Sequence, residues 1–396
     1  LQVRGVGPAT EVCNGLDDDC DIVTDEGCPT LGAVSRLDRG TDPAEFSSAQ
    51  LTVTAVGSTV IATWLERRAS ADVYSSYSVD GGETWSDPAA AIASSNNQEI
   101  EPWVFASPTR AYLVYGRYVG GDDPPDDDPR RINLTSNALD ELDTGWTARV
   151  QVEQAPPAGS DSFYGRGIVA RAGATGDEDQ LVVVWQTLVT ATASRDVYLQ
   201  ASEDGGATWL ASNVRVNDRA ADDLGRAELP SLATDGAGKV FIAYRDAISG
   251  RPEARLDVWD FAAAGADKLQ GPTELSATDD LASVKPPVLA ADAAGNVHVL
   301  WTELPDNDSE RVRVRSSTDG GATFGAGFTV SQPPPGARPD ADTPAIAARD
   351  GVAIAAWEDT RAGLANVYAA RWSDGAWSAP VKADGGGRGE FRAVEP

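Results

Sequence analysis

The stretch "SVDGGETW" at 78–85 returns as "SEDGGATW" at 202–209 and, closed by phenylalanine, as "STDGGATF" at 317–324. Each copy reads as a tight hairpin. The Gly-Gly pair supplies positive φ without a steric cost. The Asp carboxylate is suited to accept backbone N–H groups inside its own turn. The aromatic that ends the stretch is expected to fold back over the hairpin as an apolar lid. A turn spelled three times, more than a hundred residues apart each time, points to a repeated unit.

The flanking residues repeat as well. Before each turn lies an apolar run ending in an aromatic: "TVIATWLE" (59–66), "LVVVWQT" (181–187) and "NVHVLWTE" (296–303). Three more such runs lack a clean turn after them: "RAYLVYGR" (110–117), "KVFIAYRD" (239–246) and "VAIAAWED" (352–359). A short strand marked by proline precedes most of them, as in "EIEPWVFA" (99–106), "AELPSLAT" (227–234) and "DTPAIAAR" (342–349). A third strand follows the aromatic, as in "DVYSSYS" (72–78) and "DVYLQAS" (196–202), and a fourth follows the turn, as in "SNVRVN" (212–217). Period-2 alternation with Gly, Asp and Pro between the runs makes every one of these a strand. Units of four strands at this spacing predict an all-β, six-bladed β-propeller of antiparallel blades, with seven as the alternative count. The blades are expected at about 46–92, 99–152, 164–216, 228–275, 284–331 and 342–383. "WSDGAWS" (372–378) reads as a shortened turn.

The turns resemble the Asp-box repeats of the sialidase-type propeller superfamily, over about 46–383. The resemblance implies that Asp80, Asp204 and Asp319 sit on a rim away from the binding face and staple hairpins. It also poses an enzyme question. A sialidase of this kind needs three arginines on the sugar carboxylate, a Tyr–Glu nucleophile pair and an Asp acid/base. The Arg-Ile-Pro-like motif that carries the first arginine is missing, since "VSRLDRG" at 34–40 does not match it. Tyr164, Glu228, Asp246, Arg166, Arg226 and Arg245 form the alternative catalytic set. Arg68, Arg117, Glu303, Glu358 and Arg361 are candidates for a ligand-binding face, and Arg67, Glu66 and Asp359 accompany them. Because "WLER", "YRD", "WTE" and "WED" hold one equivalent position in successive units, inter-blade ion pairs are the structural expectation for this set.

The chain carries 61 acidic against 32 basic residues, a net charge of −29. Such a balance argues against nucleic acid, which is held mainly by positive charge, and against an anionic membrane surface. No apolar run approaches the roughly 20 residues of a membrane helix. His298, in the alternating run "NVHVLW", is expected to be structural. With no methionine and no apolar leader, Leu1 reads as the product of processing or trimming, as in an exported or surface-displayed protein.

All three cysteines, Cys13, Cys20 and Cys28, fall in "EVCNGLDDDCDIVTDEGC" (11–28). One local disulfide with one thiol left over suits an oxidising compartment. Within this arm, assigned to 1–30 ahead of a propeller at 31–396, Asp17, Asp19, Asp21 and Asp25 stand at positions 1, 3, 5 and 9 of a loop. That spacing wraps hard oxygen donors around calcium, with the Val23 carbonyl at position 7 and Glu26 as a further oxygen. Ile22 replaces the usual turn glycine and Cys28 stands at position 12, which disfavours an EF-hand. The arm resembles the metal-binding repeats of bacterial surface proteins. Thiol ligation of a soft metal is the alternative. The acidic insertion "GGDDPPDDDPRR" (120–131) reads as a solvated loop, with a second cation site as alternative. Two stretches have no blade, "AVSRLD" (33–38) and "GEFRAVEP" (389–396). They are expected to close the ring or to pair with a neighbouring chain.

The expected function is a secreted or surface non-catalytic propeller that binds a glycan or protein ligand. A sialidase-like exo-glycoside hydrolase and a subunit of an extracellular assembly are the alternatives.

Overall fold

The computed structural model describes residue 37 and residues 47–383, except 68–70, 93–98, 119–129, 191, 219–224, 248–251, 262–265, 277–280, 306–308, 334–337 and 364. The 17–26 loop expected to bind calcium, the cysteines, Arg68, most of the acidic insertion and the stretch 389–396 lie outside these residues. The chain divides into two compact units, Leu1–Arg39 and Gly40–Pro396, and every strand belongs to the second.

Alternating apolar and polar residues between Gly-rich turns produce six antiparallel sheets among the described residues. Blade one is β1 (Ser47–Val56), β2 (Thr59–Arg67), β3 (Ala71–Ser78) and β4 (Ala89–Ala90). Blade two is β5 (Glu99–Ala106), β6 (Arg110–Tyr118), β7 (Arg130–Ala138) and β8 (Val150–Gln151). Blade three is β9 (Ser160–Arg171), β10 (Gln180–Val189), β11 (Ser194–Ser202) and β12 (Val214–Arg215). Blade four is β13 (Ala227–Thr234), β14 (Lys239–Asp246), β15 (Glu253–Asp260) and β16 (Asp267–Glu274). Blade five splits its first strand into β17 (Leu281–Val284) and β18 (Val288–Ala291), followed by β19 (Val297–Pro305), β20 (Arg311–Ser317) and β21 (Phe328–Thr329). Blade six is β22 (Ala341–Arg349), β23 (Val352–Asp359), β24 (Asn366–Ser373), β25 (Ala376–Trp377) and β26 (Val381–Lys382). A three-residue 3₁₀ turn at Leu142–Thr144 is the one helical element among the described residues. No helix is long and apolar enough to cross a membrane.

Outer strands are shorter than the sequence suggests, two residues in every blade but the fourth. A short outer strand leaves little unpaired edge for another chain to join.

The core lies between blades. One apolar cluster joins blade three to blade four, through Val182, Val184, Val197 and Leu199 on one side and Leu232, Val240, Ile242 and Tyr244 on the other. Comparable clusters fill the seams two/three, four/five and five/six, and two small ones fill seam one/two. Because β6, β10, β14 and β19 are buried on both faces, their sequences read as near-continuous apolar runs. Packing between first strands runs β1–β5–β9–β13–β18–β22, each blade against the next. β1 and β22 have no comparable contact among the described residues.

The three repeated turns adopt the expected hairpin. In the first, Ser78 Oγ donates to Asp80 Oδ1 (2.6 Å) and accepts the Gly82 N–H (2.8 Å), while Asp80 accepts the Thr84 N–H (2.9 Å). Trp85 Nε1 closes it by donating to the Gly82 carbonyl (3.0 Å). Ser202, Asp204 and Thr208 repeat the pattern, as do Ser317, Asp319 and Thr323. Hydrogen bonds from Thr323 and Ser317 hold the Asp319 carboxyl down at about 2. These carboxylates are committed to their own turns.

Candidate functional site

The end of each blade opposite the repeated turns carries the charged residues. Two features of the repeat put them there. First, the final residues of the second strand follow the core aromatic by two, and i and i+2 share a face of a strand. Trp301 Nε1 therefore donates to Glu303 Oε2 (3.1 Å), Trp357 Nε1 to Asp359 Oδ2 (3.2 Å) and Trp185 Nε1 to Thr187 Oγ1 (3.0 Å). In blade one Trp64 Nε1 reaches Glu66 at 3.5 Å.

Second, the innermost strands are bulged at one equivalent place. Register breaks between Ala49 and Thr52, Ile100 and Trp103, Glu228 and Ser231, and Asp342 and Ala345, with a matching break in β9. At each break one residue has positive φ: Gln50, Glu101, Tyr164, Leu229 and Thr343. A bulge re-aims side chains and exposes an unpaired N–H. The preceding blade supplies the acceptor for that N–H. Gln50 Oε1 accepts from Glu101 N (3.0 Å), Glu101 Oε2 from Tyr164 N (2.6 Å) and Gln186 Oε1 from Leu229 N (3.1 Å).

The predicted residues fall into separate groups on this frame. At the seam of blades three and four, Glu228 bridges two guanidinium groups, Arg195 Nη1 to Oε2 and Arg245 Nη1 to Oε1, both at 2.6 Å. Asp246 and Glu253 flank Arg255 at 3.8 Å and 2.7 Å. Arg226 is exposed and its backbone bridges that of Arg195. At the seam of blades two and three, Tyr164 and Arg166 meet Glu101 instead. The Arg166 guanidinium lies over the Trp103 ring (4.7 Å), and burial lowers its pKa. Burial raises that of Glu101. Beside them Arg130 holds Asp161 (Nη2–Oδ2 2.9 Å) and stacks on Phe163 at 3.2 Å. Glu153 is driven up to about 7 by burial, with Arg131 4.0 Å away.

Elsewhere, Arg117 faces Glu99 (3.4 Å), and Glu303 holds Arg311 (2.7 Å) and Arg313 (3.4 Å). Arg361 binds Asp359 (2.5 Å), lies over Tyr368 (4.5 Å) and donates to the Ser331 carbonyl of blade five. Glu358 is half-buried on the side of blade six turned away from blade five.

The structure thus does not gather Tyr164 and Glu228 into one pair. Some pairs cross seams, as Arg195–Glu228 and Arg130–Asp161 do; others, such as Arg245–Glu228, stay within a blade. Sequence reasoning passed over Glu101, Arg130, Asp161, Arg195 and Glu153. The Glu-Pro step at 101–102, matched by Pro230 and Pro344 after the bulged residue in two other blades, was the available signal for Glu101. His298 is buried in β19, its Nδ1 2.8 Å from Ser316 Oγ, with Trp372 and Trp377 edge-on to its ring. Among the described residues no group of three acidic, cysteine or histidine side chains is placed to hold a metal.

Solved structures share this architecture. The intramolecular trans-sialidase from Ruminococcus gnavus, in complex with oseltamivir carboxylate, is matched over 83% of this chain and 94% of its own, at TM-score 0.50 and 12% identity. This is a sialidase-like propeller fold. A mutant of the NanB sialidase from Streptococcus pneumoniae is similar at TM-score 0.49 and 10% identity, over 85% of this chain and 69% of that one. Trypanosoma rangeli sialidase follows at TM-score 0.45 and 17% identity, over 79% of this chain. The match takes in 52% of the trypanosomal enzyme, so the chain spans about half its length. No family model matches the chain, and no curated protein matches it. At these identities the likeness speaks for fold alone, because one fold hosts many functions.

Proposed function

We propose that the protein is a non-catalytic propeller of Asp-box type that binds a glycan or protein ligand at the loop end of its blades. The observation that supports this reading best is Glu228. Both its oxygens are taken by arginines at 2.6 Å. A carboxylate whose two oxygens already accept guanidinium N–H groups is engaged away from a tyrosine hydroxyl. Tyr164 belongs to another seam, linked to Glu101 through its backbone N–H. Most arginines around the axis are likewise spent on carboxylates, chiefly of their own blade, with Arg195–Glu228 and Arg130–Asp161 crossing seams. What they leave for a ligand is a surface of aromatic rings and half-buried arginines, such as Trp103 with Arg166 and Phe163 with Arg130, suited to sugar rings and peptide carboxylates.

We further propose that the 17–26 loop binds calcium through Asp17, Asp19, Asp21, the Val23 carbonyl, Asp25 and Glu26, and that the protein acts outside the cell. Incubation with a fluorogenic sialoside tests the catalytic question. The expected result is no release above a heat-denatured control. Turnover that Tyr164→Phe or Glu228→Gln abolishes would overturn the reading in favour of hydrolysis. For the loop, protease resistance of residues 11–28 should rise with free calcium by mass action; identical digestion in calcium and in chelator would remove the claim.

A further inference from the structure

In two places where arginines of this protein converge, a carboxylate stands between them: Glu228 between Arg195 and Arg245, and Glu303 between Arg311 and Arg313. Arg313 and Arg315 depart from that pattern. They belong to β20, where "RVRVR" (311–315) alternates with the period of a strand. Val312 and Val314 pack in the cluster shared with blade six. Arg311, Arg313 and Arg315 therefore share the opposite face, and Arg315 Nη1 donates to the Glu274 carbonyl of blade four (3.3 Å).

Both side chains reach the loop ahead of β21. A Cβ built on Gly327 would have Arg313 Nη2 at 2.8 Å and Arg315 Nε at 3.7 Å. The two guanidinium groups thus meet over a glycine that has no side chain to part them. Arg313 Nη1 donates to Thr329 Oγ1 (2.8 Å), which fixes its fork. The Nη2 atoms of both arginines donate to nothing among the described residues. Thr273 of β16 pairs with Leu256 and so faces this side, whereas the side chain of Glu274 lies on the other face with that of Arg255.

Electrostatics give an independent sign. Burial lowers the Arg313 pKa; Glu303 pulls it up, and the like charges of Arg311 and Arg315 press it down again. Glu303 is the one carboxylate in contact with the three arginines among the described residues. Three guanidinium charges against one carboxylate leave an excess of two. In a chain with 61 acidic and 32 basic residues, carboxylates are abundant. Two half-buried guanidinium groups that meet without one leave room for an anion from outside.

We propose that Arg313 and Arg315, over Gly327, bind a tetrahedral oxyanion of two negative charges, a phosphoryl group either free or carried as a monoester. Two planar forks reach its oxygens together through their Nη2 atoms. A phosphate monoester carries about −1.5 to −2 at neutral pH, which matches the local excess, whereas a single carboxylate supplies half of it. The site lies on the third and fourth strands of blade five, where they face blade four. It is therefore separate from the loop end and independent of what binds there.

The test titrates the full chain with inorganic phosphate at constant ionic strength, read by calorimetry and by thermal midpoint. The parent should bind at one site and gain stability; no heat and no shift at about 10 mM phosphate would overturn the proposal. Arg313→Gln and Arg315→Gln should each bind about tenfold more weakly or worse. The sign without ligand separates binding from a structural role. In phosphate-free buffer Arg315→Gln relieves like-charge repulsion and should raise the midpoint, and in saturating phosphate the parent should be the more stable. A variant less stable than the parent in both buffers would make Arg315 a structural residue and remove the site. Acetate should bind about tenfold more weakly than phosphate, and equal binding would defeat the claim for a dianion. Glucose 6-phosphate distinguishes the sources: binding as tight as that of phosphate assigns an ester, and binding of phosphate alone assigns the free ion.

Discussion

The turns at 78–85 and 202–209 differ at two of eight positions and share their serine, aspartate and threonine hydrogen bonds. Yet Trp85 Nε1 donates to the Gly82 carbonyl while Trp209 Nε1 has no hydrogen-bond partner among the described residues, and the two sit in different surroundings. In blade three a Cβ on the second glycine would meet Leu134 of blade two at 3.0 Å and Leu181 of its own blade at 3.3 Å, and one on the first would meet the Gly176 carbonyl of its own blade at 2.8 Å. In blade one a Cβ on the first glycine would meet nothing within 4 Å among the described residues. The turn is local chemistry that Ser, Asp, Gly and Thr complete among themselves. Its environment is set in part by its own blade and in part by the neighbouring one, through Leu134. The shared Ser, Asp, Gly-Gly and Thr thus fix the hairpin and leave its energetic weight to be set by its surroundings.

The sharpest way to break this comparison is to add one methyl at each site. Gly206→Ala combines a positive φ of 91° with a 3.0 Å approach to Leu134 and should cost about 2–4 kcal/mol. Gly82→Ala meets only the backbone penalty and should cost about 1–2 kcal/mol. Urea midpoints of the two variants decide it. Equal losses would mean that the neighbouring blade contributes nothing to the turn.

A second contrast sets the two ends of the blades against each other. Glu228→Gln takes the negative charge from between Arg195 and Arg245, whose side chains keep 32% and 28% of their exposure. Breaking such a pair costs less than in a dry core, about 2 kcal/mol. Ser202→Ala removes a buried hydroxyl that serves Asp204 and the Gly206 N–H, and about 1 kcal/mol is expected. If the serine variant proves the weaker of the two, the turn end rather than the charged end fastens the blades.

What the sequence made legible follows from what is local. Blade limits were readable because alternation and turn residues act over a few positions: the expected blade 99–152 is found at Glu99–Gln151, and 342–383 at Ala341–Lys382. The charged ring was readable as a repeat, since "WTE" and "WED" mark the indole–carboxylate bond directly. Its partners were not. Arg195 reaches Glu228 from 33 residues away and Glu101 reaches Tyr164 from 63. Those contacts exist only once blades stack and the bulge turns the Tyr164 N–H toward blade two. A positive φ at Tyr164 leaves no mark in residue type, and at Glu101 only the proline that follows marks it. For the same reason Tyr164 and Glu228 looked like one set on the page and belong to two seams in the fold.

The last expected effect is a pH dependence in which one imidazole opposes two carboxyls. Burial against Trp372 and Trp377 depresses His298 from its ordinary 6.5 to about 4, although Asp292 pulls it up. A lowered histidine favours folding while neutral, so its contribution is present above 6.5 and lost as pH falls toward 4. Taken alone this is at most about 3 kcal/mol. Burial raises Glu153 from 4.5 to about 7 and Asp257 from 3.8 to about 6. A raised carboxyl favours folding while protonated, so that contribution is full at low pH and disappears as pH climbs through 6 and 7. Between pH 4.5 and 7 the two trends run in opposite directions, but two carboxyls outweigh one imidazole, so the unmodified protein should lose about 2–3 kcal/mol as pH rises across that span. Removing one side exposes the other. His298→Gln should make the urea midpoint rise steadily as pH falls from 7 to 4.5, because only the carboxyl trend remains. Glu153→Gln should instead gain stability at pH 7.5 relative to the parent and lose that advantage by pH 5. Parallel curves for the parent and both variants would mean that neither group titrates where its burial places it, and that the seams holding them admit water.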